Sequence, residues 1–214
     1  MTRILLTAAC LVAAFGLSGC KIVKTQTADE KAPAADASGD DARIQNLLAE
    51  TWEPKLVPTI NEKALPVADL RAAVASGLEA AGKAHGKAGS GAGAAWNFAV
   101  KGEGKVVEAN LESRARTLGL DTDADGASDV TLQLGPVVKG TALRDFSPFY
   151  DFTNFRDQIE FAKLGRALND VATASVQIPD GDPIGKTAAF TGVIAIRSAS
   201  EAWLVSPITL EMKP

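Results

Sequence analysis

The chain has 214 residues, 46% of them hydrophobic, and a formal net charge of −4. That balance supports a buried core and leaves no basic surface for nucleic acid or polybasic face for anionic lipid. With two cysteines, Cys10 and Cys20, both near the start, no disulfide framework is available to staple the fold.

Met1-Thr2-Arg3 gives a positive start, and Ile4 to Leu17 is an apolar run broken only by Thr7 and Gly16. It is too short to span a bilayer and has the length of a signal-peptide core. The run ends in Leu17-Ser18-Gly19-Cys20, which resembles the lipobox of bacterial lipoproteins. The resemblance implies a signal peptide over residues 1–19, a diacylglycerol on Cys20 and an acylated new amino terminus. The membrane is then a partner through several acyl chains, enough for stable anchoring, at the periplasmic face of the envelope. The mature chain keeps no free thiol for a zinc site or a nucleophile. Residues 20–41 are rich in Ala, Asp and Ser with nothing to bury, so they read as a disordered tether. A flexible coil of that length spans on the order of 20–25 Å.

Residues 42–92 read as a helical layer. Asp41 is placed to cap a helix carrying Ile44, Leu47, Leu48 and Trp52, and Pro54 ends or kinks it. A second helix starts at Pro66, with Val67, Leu70, Val74 and Leu78 on one side. Trp52 belongs to the core. A Gly-rich loop runs from His85 to Gly93, with His85, the single histidine, exposed in it.

Residues 93–214 read as a barrel domain. Trp96, Phe98, Val100, Gly102, Gly104 and Val106 alternate with polar residues, the period of a half-buried strand, and the glycines suggest a bend. A second strand runs near Ser113–Leu120, and a third sets Val130, Leu132 and Leu134 inward. A helical pattern covers Phe152 to Ala174. Two last strands follow, with Phe190, Gly192, Ile194 and Ile196 on one face, then Leu204, Ser206, Ile208 and Leu210 on one face; Pro207 marks an edge or a bulge. Three strands, a helix, then two strands is the element order of an OB-fold, so the fold class is α+β: a small OB-like barrel behind a helical layer. The helix is apolar on two sides, Phe155, Ile159 and Ala162 against Phe161, Leu164, Leu168 and Val171. One side is expected to plug the barrel and the other to meet the N-terminal helices.

Between strands two and three lies Asp121-Thr-Asp-Ala-Asp-Gly-Ala-Ser-Asp129. Asp121, Asp123, Asp125 and Asp129, with the Ala127 carbonyl, make the oxygen-ligand pattern that Ca²⁺ requires, and Gly126 permits the turn. Two such carboxylates about 5 Å apart repel by roughly 3 kcal/mol at an effective dielectric near 20, which a cation would relieve. Leu132 stands where an EF-hand needs its Glu, so this is no EF-hand, and the competing reading is a polar hairpin turn. A structural calcium role is expected.

Catalytic chemistry finds no constellation. A nucleophilic triad would have to use His85. Gly181-Asp-Pro-Ile-Gly-Lys-Thr187 is one residue short between its glycines for a phosphate loop and opens a strand. Gly140-Thr-Ala-Leu-Arg-Asp-Phe-Ser147 leaves the third strand at the barrel rim, making Thr141, Arg144 and Asp145 the candidate ligand contacts. An exposed or mutually paired couple of charges fits them as well.

Several stretches carry a resemblance: Trp96-Asn-Phe98, Lys101-Gly-Glu-Gly-Lys-Val-Val107, the acidic loop, Leu132-Gln-Leu-Gly-Pro-Val137, Gly140-Thr-Ala-Leu-Arg-Asp145, Phe152-Thr-Asn-Phe155, Gln158-Ile-Glu160 and Ile208-Thr-Leu210. From Ile44 onward the chain resembles a family of uncharacterised predicted periplasmic lipoproteins, typically encoded beside sugar-type ABC-transporter genes. That family's acidic loop usually has a second glycine where this chain has Ala124. The resemblance implies a non-enzymatic binding or accessory lipoprotein of solute uptake, with a periplasmic solute-binding protein or ABC permease as partner. The alternative is an envelope-assembly lipoprotein that binds only proteins.

Overall fold

The structure, a computed structural model, describes residues 32–90, 93–177 and 181–213. The signal stretch, Cys20 and the tether up to residue 31 lie outside the described residues. Four helices come first: α1 (Asp40–Thr51), α2 (Val57–Lys63), α3 (Val67–Ser76) and α4 (Leu78–His85). Two-residue strands β1 (Leu65–Pro66) and β2 (Lys87–Ala88) punctuate them.

Sequence expectations here are corrected or refined at four points. Gly39 holds the N-cap of α1, with Asp40 and Asp41 both inside the first turn, where their charge complements the helix dipole. Pro54 does not stop the chain's helical course. A π-helical turn at Trp52–Leu56 absorbs the missing donor, and α2 continues from it. The second helix breaks at Gly77 (φ +150), so Leu78 opens α4 rather than extending the α3 stripe. His85 is exposed as expected but ends α4, and Lys87–Ala88 of the supposed loop pairs with Trp96 and Asn97.

The barrel strands are β3 (Trp96–Asn110), β4 (Ala115–Asp121), β5 (Val130–Pro136), β6 (Thr187–Ile196) and β7 (Trp203–Lys213). Their pairing order β3-β4-β5-β7-β6 returns to β3, a closed five-stranded OB ring. β3 makes closure possible by changing partner along its length, pairing β6 from Trp96 to Lys105 and β4 from Lys105 to Asn110. Gly104 sits at that changeover, where a Cβ would fall 2.4 Å from the Asp121 carbonyl oxygen, so only glycine lets the strands cross this closely. The β5–β7 seam is short, Val130–Leu132 against Trp203–Val205.

Phe98, Val100, Leu118, Leu132, Ile194 and Val205 fill the interior, and α3 adds Val67, Leu70 and Val74 to that cluster. Thus α3 supplies the plug that the sequence assigned to the later helix. That helix, α6 (Gln158–Ser175), follows a short α5 (Ala142–Phe146) and a 3₁₀ turn at Phe152–Asn154. It starts at residue 158, not 152, because Asp157 caps it by accepting from the amides of Ile159 and Glu160, both at 2.9 Å. α6 packs against the outside of the barrel. Leu164, Leu168 and Ala172 join Ala99, Val193 and Ile208 of the wall and Ile44, Leu48 and Trp52 of α1 and the π turn. Its other supposed stripe is covered only at Phe155, which packs on this cluster, since Ile159 is 65% exposed and Ala162 is exposed too.

The last strand keeps Leu204, Ser206 and Ile208 on one face, the outer one, but not Leu210. Trp203 and Val205 point inward, Leu204 and Ser206 outward, and a register shift at Gly192/Pro207 brings Leu210 and Met212 back in. Pro207 therefore marks a bulge, and a single alternation cannot run through it.

One buried ion cluster ties α1 to α6. Asp40, with no solvent exposure, receives Arg43 at 2.6 Å, Arg156 at 3.1 Å and Lys163 at 3.2 Å, while Glu160 accepts from Arg43 at 2.7 Å and from the Arg156 amide at 2.7 Å. Hydrogen bonding from Arg156 outweighs burial and, helped by Lys163, holds the Asp40 carboxyl below the usual carboxylate range. A depressed folded pKa stabilises above the unfolded value of about 3.9 and is lost as pH falls through the folded one. Thermal melts are expected to change little between pH 7 and 5 from this source and to fall below about pH 4. Asp40→Asn should lower stability at pH 7 and flatten the acid limb.

Candidate functional site

A cleft of about 610 Å³ opens on the outer side of the barrel wall formed by β3, β6, β7 and β5, within the size of small-molecule sites. Its floor carries Asn97, Gln133 and Ser206, buried polar residues on strand faces whose near neighbours Ala99, Val193 and Ile208 are apolar. Asn97 is 1% exposed. Its amide group donates to the carbonyls of Lys87 (3.3 Å) and Ala95 (3.4 Å), and its Oδ1 accepts from no described residue. Gln133 is occupied: it accepts the Lys139 amide at 2.8 Å and donates to the Lys139 carbonyl at 3.3 Å, pinning the chain where it leaves β5.

Thr141, Arg144 and Asp145 line one wall of the same cleft. The segment is a turn of helix rather than the expected open loop. Arg144 Nε donates to Asp145 at 2.8 Å, its Nη1 to the Phe161 carbonyl at 3.2 Å and its Nη2 to the Thr141 hydroxyl at 3.2 Å. The guanidinium stacks 3.9 Å from the Phe161 ring centre. Thr141 in turn donates to Asp145 at 2.6 Å. The paired reading of Arg144 and Asp145 is thus the observed one, and the pair is a fixed wall. Gly165 of α6 lets this turn approach, since a Cβ there would lie 2.9 Å from Thr141 Cγ2. Lys139, Arg197 and Glu201 stand at the rim, with Glu201 accepting the Arg197 backbone amide at 2.7 Å.

Asn97, Gln133, Ser206 and Arg197 were missed as cleft residues. A polar residue at the outward position of a strand reads as solvated, and a single sequence does not say that helices cover that wall. One signal was present: Asn97 and Gln133 both fall inside motifs that carry the family resemblance.

The acidic turn lies apart from the cleft. Asp121, Asp123 and Asp129 each bring a carboxylate oxygen within 4.8 Å of the others; Asp125 is not in that group, and accepts the Ala127 amide at 2.8 Å. Asp121 accepts the amides of Ala124 (2.7 Å), Gly126 (2.9 Å) and Asp123 (3.3 Å). Burial pushes the Asp129 carboxyl up, but the Thr122 amide and hydroxyl and the Arg71 charge outweigh it and hold it below the usual range. Three carboxylates facing one centre fit a hard, oxygen-seeking cation in donor type. Arg71, 3.2 Å from Asp129, already balances one of their charges.

Ala124 occupies φ +66, where a Cβ is strained. Relief of roughly 1–2 kcal/mol of strain exceeds the roughly 0.4–1 kcal/mol that glycine loses to unfolded-chain freedom. Ala124→Gly is therefore expected to raise the melting temperature by about 1–4 °C, read by calorimetry.

A closed five-strand ring with a helix between its third and fourth strands makes this an OB-fold protein. The chain belongs to the DUF2291 family, described as predicted periplasmic lipoproteins, whose model matches residues 10–211. The family sets it at the periplasmic face of the envelope as a lipoprotein. Its fold is similar to the crystal structure of an OB-fold protein from Thermotoga maritima MSB8, with a TM-score of 0.60 and 15% identity, covering 81% of this chain and 98% of that one. Comparison with curated proteins finds no match. Neither family nor fold carries a positive sign of catalysis.

Proposed function

We propose that the protein is a lipid-anchored, non-catalytic binding and accessory module of an ABC-type uptake system for a sugar or another small solute, held by acyl chains on Cys20. The observation that supports this reading most is the outer-wall cleft, ligand-sized, polar-floored and lined by Thr141, Arg144 and Asp145. Family resemblance supplies the transporter partner, a periplasmic solute-binding protein or a permease. Thermal shift of the mature lipoprotein against a panel of sugars and small solutes tests the binding half, and crosslinked pull-down from membranes tests the partner. A stabilising solute and a recovered transporter component are expected. No shift, with only envelope-assembly machinery recovered, would replace this reading with the protein-binding one. That second reading has its own support in the exposed Phe152 (48%) and Ile159 (65%).

The acidic turn is proposed to bind Ca²⁺ through Asp121, Asp123 and Asp129 in a structural role. Affinity of about 10⁻⁴ to 10⁻³ M, usual for extracellular modules, gives roughly 0.4–1.4 kcal/mol of stabilisation in millimolar Ca²⁺. Melting in Ca²⁺ should exceed melting in chelator by about 1–6 °C; superimposed curves would leave a plain hairpin turn.

A further inference from the structure

The cleft's chemistry is asymmetric. Arg144 is neutralised by Asp145 and also donates to Thr141 and the Phe161 carbonyl, so it holds the wall together. Lys139 and Arg197 line the same cleft, and neither side chain has a carboxylate within 4.0 Å among the described residues. The rim thus offers two uncommitted cations. Glu201, the rim carboxylate, is turned to its own loop by accepting the Arg197 amide.

At the floor the demand is the opposite. Asn97 Oδ1 is shut off from solvent without a donor, a costly state for a buried acceptor. Its side-chain nitrogen faces two backbone carbonyls, so exchanging nitrogen for oxygen would set oxygen against oxygen and cure nothing. Ser206, two strands away on β7, lines the same floor as a neutral hydroxyl.

Given that the cleft is a binding site, as proposed above, we propose that its ligand is a small organic anion, a carboxylate or a phosphate monoester, whose body carries hydroxyl or N–H donors. The anionic group sits between Lys139 and Arg197, and a donor on the body satisfies Asn97 Oδ1 once the Asn97 amide, held by two long hydrogen bonds of 3.3 and 3.4 Å, turns toward it. A neutral polyol leaves the rim cations unused. A bare anion leaves the floor acceptor unpaired. The class is therefore set by both ends at once.

Isothermal titration of the mature lipoprotein in detergent tests this with glucuronate, glucose 6-phosphate, glucose, acetate and inorganic phosphate. Glucuronate or glucose 6-phosphate is expected to bind at least about tenfold tighter than glucose, acetate or phosphate, and whichever of the two leads identifies the anionic group. Arg197→Ala and Lys139→Ala, at exposed rim positions that leave the core intact, should each weaken the leading anion by about tenfold and leave glucose unchanged. Asn97→Leu, verified as folded by circular dichroism, should weaken the hydroxylated anion and leave acetate unchanged. Glucose binding as well as glucuronate, or rim variants binding the anion unchanged, would overturn the ligand class while the cleft remained a site. Binding of none of these probes would overturn the ligand class. Failure of the broader thermal-shift panel as well would take the binding reading with it.

Discussion

Leu168→Asp is expected to leave the protein largely unfolded at room temperature. Leu168 has no solvent exposure and packs where α6 meets the barrel wall and α1. The change deletes a buried aliphatic side chain, at about 2–5 kcal/mol, and puts a carboxylate in an apolar seat with no partner, which adds several more. Together these take up most of the roughly 5–15 kcal/mol by which a domain is stable. Leu164→Asp, equally buried, should behave the same way. Ile159→Asp, on the exposed side of the same helix, should stay within about 0.5 kcal/mol of the parent. Urea midpoints of the three variants check the assignment. A tolerated Leu168→Asp would mean that α6 does not seal the wall.

Asp121→Ala is the second large effect. This carboxylate is 7% exposed and is the common acceptor for the amides of Asp123, Ala124 and Gly126. Removing it orphans three donors in one turn, a loss of about 2–3 kcal/mol, or roughly 5–10 °C in melting temperature. Asp121→Asn keeps an acceptor oxygen but turns a donor toward at least one of the amides, so it should cost about half as much. The difference persists in chelator, because it comes from the turn's own hydrogen bonds. A difference seen only with Ca²⁺ present would assign the whole effect to metal.

The barrel was legible in the sequence where one face decides. Phe98, Val100, Leu118, Leu132 and Ile194 look into a small closed interior, so strict alternation survives and the element order follows from it. Legibility fails on the outer wall. There Ala99 and Val193 are buried from the second side by helices that a local pattern does not place, and Asn97 lies under the cleft. The apolar count of α6 could not say which stripe would be covered, because Phe161 is used to hold Arg144 and Ile159 is left in solvent. Pro54 interrupts the α-helix as its missing donor requires, but the form of the interruption, a π turn that leads on into α2, is not something propensity alone anticipates. The bulge at Pro207 was foreseeable, but its effect on the phase of Leu204 to Leu210 was not carried through. Of the cleft lining, Thr141, Arg144 and Asp145 are named from their place after strand three; the floor needs the fold.

The short seam between β5 and β7 bears on how the ring breathes. It is stitched by three residue pairs, and its last pair, Leu132 with Val205, immediately precedes Gln133 and Ser206. A hoop yields first at its thinnest weld, and here the weld runs from the end of the acidic turn, where Val130 follows Asp129, to the cleft floor. Fluctuations of the barrel are therefore concentrated beneath Gln133 and Ser206, while the ten-pair β3–β6 contact, which carries Asn97 opposite Ala195, stays fixed.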